Sequence, residues 1–381
     1  MVDASEVDDV RRLSAELAGR LEPGFVKAHC ARLLASPACA GPSPDLRLLR
    51  TVCFVWCAML AAWGAPVAPE HRHPTAASDG IGGTGGGGSC RGAPGCGCDG
   101  CATALLVRRL LAVLRAQRGG EELRKSQLGA MDCLAMLAWA ELRRRPAAAE
   151  GSCEGQRRPR IVELPVEGVE EDVEPSGVGK EAPKTAVLGG MMDILLGEDG
   201  ASLDGPFWRV AADNEEAEAE AAGGGMQLRI CMANALIMLS RHVEGGRLEA
   251  AFGAAVLPRV AAALPRMLTP RGAPPAVAAA ALQVLFTGTH KVGKALVSLD
   301  GGRCVTDMMA IAALGLEDAQ PAEVRVAAAR LPAALLALDG LDAVDGAPAA
   351  VDGLAAALSR AAFLDTSPEV RSVCEQLLGC L

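Results

Sequence analysis

Between residues 226 and 381 apolar positions keep returning to one face of a helix. Val324, Ala328, Leu331, Leu335 and Leu338 step by 4, 3, 4 and 3, and Leu228, Met232, Ala235, Leu239 and Val243 by 4, 3, 4 and 4. This is the spacing of α-helices that bury one stripe each. Arg247 to Leu268 reads as another helix, apolar and Ala-rich, which Pro258 and Pro265 should kink by removing backbone donors. Pro332 is expected to bend or split the helix that contains it.

The helical pattern itself repeats. Leu239, Leu285, Leu331 and Leu377 follow one another at intervals of 46 residues, and Pro275, Pro321 and Pro368 stand nine or ten residues before the last three. A period of roughly 40 to 47 residues is that of stacked two-helix units. In Ser367-Pro368-Glu369-Val370-Arg371, Ser367 is suited to cap free amides, Pro368 to the first helical position and Glu369 to the helix dipole. Asp365 to Arg371, and likewise Asp318 to Arg325, resembles the opening of the second helix in a HEAT repeat. The resemblance is partial at Gln227-Leu228-Arg229 and poor at Pro275-Ala276-Val277, where no Arg follows; it covers residues 226 to 381. It implies an all-α, right-handed α-solenoid of HEAT/armadillo-like helix pairs. It also implies a polar ladder along the stack, with Asp318, Arg325, Asp365 and Arg371 in that role.

Upstream the same pattern is interrupted. Trp56-Cys57-Ala58-Met59-Leu60, Cys133-Leu134-Ala135-Met136-Leu137 and Ala235-Leu236-Ile237-Met238-Leu239 are similar helix ends, but 77 and 102 residues apart. The chain therefore divides into N-terminal helices (1–64), a Gly/Cys-rich insertion (65–100), a helical pair with a basic surface (101–145), an acidic linker (146–184) and HEAT-like repeats (185–381) with an acidic loop at about 199–225. The insertions are rich in Gly, Pro or acid and lack apolar periodicity, so they are expected to be disordered.

Composition agrees with helices. Half of the residues are hydrophobic, dominated by Ala and Leu, whereas Tyr is absent and Phe and Trp are few. The beginning, Met1 to Glu6, has no basic and then apolar stretch of a secretory signal, which predicts a cytoplasmic or nuclear protein. The uncharged run from Thr51 to Ala68 is interrupted by Gly64 and Pro66, short of the roughly 20 residues a membrane span requires. It is read as a buried helix, with no membrane partner. Fourteen cysteines in a reducing compartment are expected as free thiols, and Cys53, Cys57, Cys133, Cys231 and Cys374 as core.

Candidate chemistry lies mostly in the interruptions. Cys90, Cys96, Cys98 and Cys101 could together satisfy a tetrahedral zinc ion, although all four fall within twelve residues of a Gly-rich loop. Gly80 to Gly85 matches a dinucleotide fingerprint by letter only, without the strand and helix it needs. Gly288-Thr289-His290-Lys291-Val292-Gly293-Lys294-Ala295 approximates a phosphate-binding loop, with Leu335 to Asp339 as its strand, but Ala295 replaces the hydroxyl that would hold magnesium. No pairing of a nucleophile with a base emerges, and the five histidines read as structural or solvated, so no catalytic residue is assigned. Charge is the stronger signal. From Cys101 to Val162 there are 12 Lys and Arg against 6 acids, including Arg108, Arg109, Arg115, Arg124, Lys125, Arg143, Arg144 and Arg145; from Glu163 to Gly225 there are 16 acids against 3 bases. One reading is a capped helix end beside solvated loops. The other is a basic groove for an acidic protein segment, partly masked by the acidic loops. Nucleic acid is disfavoured by the net charge of −9 and by the lack of aromatics among the bases. The reading that follows is a non-catalytic protein-binding scaffold or adaptor. Its alternatives are a metal-binding or nucleotide-dependent regulator and a nucleic-acid-associated repeat protein.

Overall fold

The computed structural model describes residues 13–41, 44–64, 99–116, 120–144, 186–197 and 217–379. These residues are helical and contain no strand. Helix α1 covers residues 13–19. It is followed by α2 (Pro23–Ala35), α3 (Pro37–Ala40), α4 (Leu46–Trp63), α5 (Asp99–Arg115) and α6 (Glu121–Arg144). Next come α7 (Ala186–Leu196), α8 (Ala217–His242), α9 (Gly246–Met267), α10 (Pro275–Val292) and the short α11 (Lys294–Ser298). The last four are α12 (Arg303–Gly315), α13 (Ala322–Leu336), α14 (Ala347–Leu364) and α15 (Pro368–Leu378).

Local chemistry sets these boundaries. The Asp45 carboxylate accepts from the Arg47 and Leu48 amides, both at 3.0 Å, and Glu22 accepts from Gly24 and Phe25 at 2.9 and 2.7 Å, so α4 and α2 each begin with two of their free donors satisfied. Gly64 ends α4 at φ 54°, a left-handed position that costs glycine least. Pro368 takes the first position of α15, but Ser367 makes no side-chain cap; the Ser367 amide instead donates to Asp365 at 2.7 Å. Helix α13 runs through Pro332 without a break, and α9 continues through Pro258 and Pro265. Helix α8 begins at Ala217, inside the stretch expected as an acidic loop.

Consecutive helices pair, α2 with α4, α5 with α6, α7 with α8, α9 with α10, α12 with α13 and α14 with α15, and each pair packs on the next. One row of neighbours runs α4, α6, α8, α10, α13, α15; the other includes α2 and α5, then α7, α9, α12 and α14. The register leucines fall on the first row: Leu239, Leu285 and Leu331 are buried in α8, α10 and α13, and Leu377 is partly buried in α15. The three similar helix ends also lie there, with Leu60, Leu137 and Leu239 buried on the successive helices α4, α6 and α8. A single apolar core extends from Val26 to Cys374.

Three helices, α4, α9 and α14, are long and apolar enough to cross a membrane by length and composition, and 39%, 44% and 33% of their respective apolar windows are buried. Helix α9 is covered by α7, α10 and α12, whereas α4 and α14 belong to the first and last pairs of the stack.

Candidate functional site

The expected basic surface is carried by α5 and α6. Arg108 and Arg124 are exposed, and Lys125 is exposed and pairs with Glu121 at 2.9 Å, one helical turn away. Arg109 and Arg115 are half-buried. Burial pushes the Arg115 guanidinium below its ordinary pKa, and the buried Nε of Arg109 has no hydrogen-bond partner. Arg143 stands in the last turn of α6 with its guanidinium 4.7 Å from the Trp139 ring centroid, a cation–π contact. Arg144 ends α6 with its side chain outside the described residues, and Arg145 lies outside them altogether.

The bases therefore do not form one patch. At 1.5 Å per residue, Arg124 and Arg143 are about 28 Å apart along α6. Arg115, Arg124 and Lys125 gather at the α5–α6 turn, with Arg108 and Arg109 up to two helical turns back along α5. Sequence reasoning missed two residues that join this end from α4: Arg50 and Arg47 reach Glu122 at 3.2 and 3.9 Å. The signal was present in Leu46-Arg47-Leu48-Leu49-Arg50, but nothing local says that α4 lies against α6.

The polar ladder is partly realised. Arg325 of α13 grips Asp365 at the start of the α15 turn through Nε–Oδ2 at 2.7 Å and Nη2–Oδ1 at 3.0 Å, and donates to the Gln320 carbonyl and to Thr366 Oγ1. Arg371 donates to the Asp365 carbonyl at 2.6 Å. Asp318 is exposed and takes no part; its neighbour Gln320 instead donates to the Leu268 carbonyl at 3.0 Å, tying the α12–α13 turn to the end of α9. Burial works against the ionised Asp365, but hydrogen bonds from Arg325 and the Ser367 amide, with the charges of Arg325 and Arg371, hold its pKa below the usual carboxylate value.

Other ties between pairs have no counterpart in the sequence reading. The buried carboxylate of Glu141, near the end of α6, accepts from the Val187 and Leu188 amides at 2.9 and 3.0 Å and so caps α7. Asp193 of α7 pairs with Arg259 of α9 through Oδ1, while its buried Oδ2 has no hydrogen-bond partner. His242 of α8 meets Asp132 of α6 at 3.3 Å.

Of the four candidate zinc ligands, Cys90, Cys96 and Cys98 lie outside the described residues, as does the side chain of Cys101 at the start of α5. Among the described residues no group of three or more His, Cys, Asp or Glu is arranged to hold a metal ion. The described cysteines are free thiols, and those expected in the core are there, Cys57 only half-buried. Hydrogen bonds with Cys53 and Cys57, added to burial, raise the Cys133 thiol well above its ordinary pKa, and burial pushes Cys30 up to about 12 and Cys374 to about 11. Because the thiolate is the nucleophile, iodoacetamide at pH 8 is expected to leave Cys30, Cys133 and Cys374 unmodified in the folded protein and to label them in urea. Peptide mass mapping of pulse-labelled protein checks this; labelling of these three at the rate of the unfolded chain would refute it.

The phosphate-loop reading meets a physical obstacle. Gly288 to Val292 are the last turns of α10, whose amides are engaged within the helix, and Leu335 and Leu336 end α13 and form no strand. Gly288 serves packing: a Cβ there would lie 2.5 Å from Leu257 Cδ2 of α9. The dinucleotide lookalike, residues 80–85, is outside the described residues. No known family, curated protein or solved structure matches the chain.

Proposed function

We propose that this chain is a non-catalytic protein-binding scaffold of the cytoplasm or nucleus, built as an α-solenoid of HEAT/armadillo-like helix pairs. The observation that carries the reading is the unbroken row α4, α6, α8, α10, α13, α15, in which each pair packs on the next and the 46-residue register keeps equivalent leucines inward. Such a row offers an extended face without a catalytic pocket. The partner is an acidic protein segment. Arg108, Arg109, Arg115, Arg124 and Lys125 share the α5–α6 end, and Arg115 and Arg109 hold charge that burial has partly stripped of water. A carboxylate arriving there replaces lost hydration, which favours an acidic ligand over a neutral one.

The test is retention of partners from the protein's own cells by immobilised full-length chain. Stoichiometric polypeptides are expected with the wild type, and the double charge reversal Arg108→Glu, Arg124→Glu is expected to reduce their retention at least tenfold. The surface position of both residues leaves the helical circular-dichroism signal unchanged. Retention of nothing, or retention indifferent to the reversal, would overturn the reading. A metal-dependent regulator would reveal itself as stoichiometric zinc lost on Cys98→Ser, Cys101→Ser.

A further inference from the structure

Of the eight cysteines whose side chains are described, five lie in the first helices: Cys30 in α2, Cys39 in α3, Cys53 and Cys57 in α4, and Cys133 in α6. These five are neighbours. Cys53 is close enough to Cys30 and Cys39 for its ionisation to oppose theirs, and its thiol is hydrogen-bonded to Cys133. Cys133 is hydrogen-bonded to Cys57 as well, so it bridges two thiols that stand one turn apart on the facing helix. The other three, Cys231, Cys304 and Cys374, are spread one each over α8, α12 and α15, as suits a cysteine used simply as a small core residue.

Sulfurs in contact have a chemistry that isolated ones lack, because a disulfide forms only between side chains that already face one another. Access separates the three that touch. Cys53 is 1% and Cys133 0% exposed, whereas Cys57 is half-buried and is the one of the three that solvent reaches. Hydrogen bonds with Cys53 and Cys57, added to burial, keep Cys133 protonated, so an oxidant arriving from solvent does not begin there. It begins at Cys57.

We propose that Cys57 and Cys133 are a reversible disulfide site joining α4 to α6, closed by hydrogen peroxide that enters at Cys57. The Cys57 sulfur attacks one peroxide oxygen and the O–O bond breaks. Cys57 becomes a sulfenic acid, and the other oxygen leaves as hydroxide, which regains the thiol proton as water. The Cys133 sulfur then attacks the Cys57 sulfur. The S–S bond forms, the S–O bond breaks, and the departing hydroxide takes the Cys133 proton as a second water. Two thiols and one peroxide thus give one disulfide and two waters. Contact between the sulfurs offsets the scarcity of thiolate at Cys133, since a partner held in place acts at a very high effective concentration. A small dithiol reopens the bond by exchange, the behaviour of the transient disulfides found in reducing compartments. The site is independent of the scaffold reading and makes no use of the basic α5–α6 end.

The test exposes the folded full-length chain to hydrogen peroxide, denatures it with iodoacetamide to cap the remaining thiols, and maps unreduced peptides by mass spectrometry. A peptide pair linked through Cys57 and Cys133 is expected, with Cys53 alkylated, and dithiothreitol should restore both thiols. Iodoacetamide given to the folded chain before the peroxide caps Cys57 and is expected to leave Cys133 reduced. Cys133→Ser is expected to strand Cys57 as the sulfenic acid, captured by dimedone; Cys133→Ala takes its place should serine lower the helical circular-dichroism signal. Oxidation of Met226, 39% exposed, shows that the peroxide dose sufficed. Full alkylation of Cys57 and Cys133 at a dose that converts Met226 would overturn the proposal, as would a Cys57 linked to any other cysteine. So would loss of the Cys133 thiol in protein whose Cys57 was capped beforehand, because Cys57 would then not be the entry.

Discussion

Asp365→Ala is expected to lower the unfolding free energy by about 3–5 kcal/mol, the cost of leaving a buried guanidinium without its carboxylate. Arg325 and Asp365 are both buried and meet through two hydrogen bonds, so the charge left on Arg325 retains only the Gln320 carbonyl and Thr366. The Ser367 amide loses its acceptor as well, which frees the start of α15. Urea denaturation followed by circular dichroism measures the change, and a loss below about 1 kcal/mol would mean that the pair is solvated. The double replacement Arg325→Met, Asp365→Leu is expected to lose less than Asp365→Ala alone, because no charge is then stranded. The same pair sets an acid limit. The pKa of Asp365 is depressed in the folded chain, so its stabilisation is complete above the ordinary carboxylate value of about 3.9 and declines as the pH falls through that value and then through the lower folded one. In Asp365→Ala this segment of the pH dependence, which lies below about pH 4, should disappear.

The long axis of the fold was legible because its determinant is periodic. Leu239, Leu285 and Leu331 occupy equivalent buried places on neighbouring helices, and a fixed interval in the chain became a fixed step in the stack. Gly64 could be read as a stop and Pro368 as a start for the same reason, since both act on their own backbone. What escaped was decided between helices. The resemblance to HEAT repeats implied a ladder of Asp318, Arg325, Asp365 and Arg371, and Arg325 does pair with Asp365, but Asp318 has the same local sequence setting and is exposed, and Gln320 makes the contact there instead. The ties His242–Asp132 and Arg259–Asp193 join residues 110 and 66 positions apart and obey no spacing rule. In the candidate site the charge excess was visible, but its division into two ends of α6 was not, because adjacency in composition ignores the length of a 24-residue helix. In α1 the small residues Ala15 and Gly19 face inward and Leu13 and Leu17 outward, because the close approach of Gly19 to Ala58 leaves room only for the small face.

Glu141→Ala should cost about 2–4 kcal/mol, and its effect should be local. The Glu141 carboxylate, buried with Val187 and Leu188, satisfies two of the amides that every helix leaves free at its beginning. A missing N-cap costs roughly 1 kcal/mol at a surface, and each donor left dry adds about 1–3. Water cannot easily replace the carboxylate where the two residues that donate to it are both almost completely buried. Hydrogen exchange read by mass spectrometry should show lost protection throughout α7, with α13 and α15 unchanged, since a stack of pairs transmits a defect mainly to its neighbours. Equal loss in every helix would show instead that the stack unfolds as one unit. Glu141→Gln separates charge from geometry: its amide oxygen replaces only one of the two carboxylate oxygens that accept here, and its nitrogen accepts from neither amide, so it should recover only part of the protection.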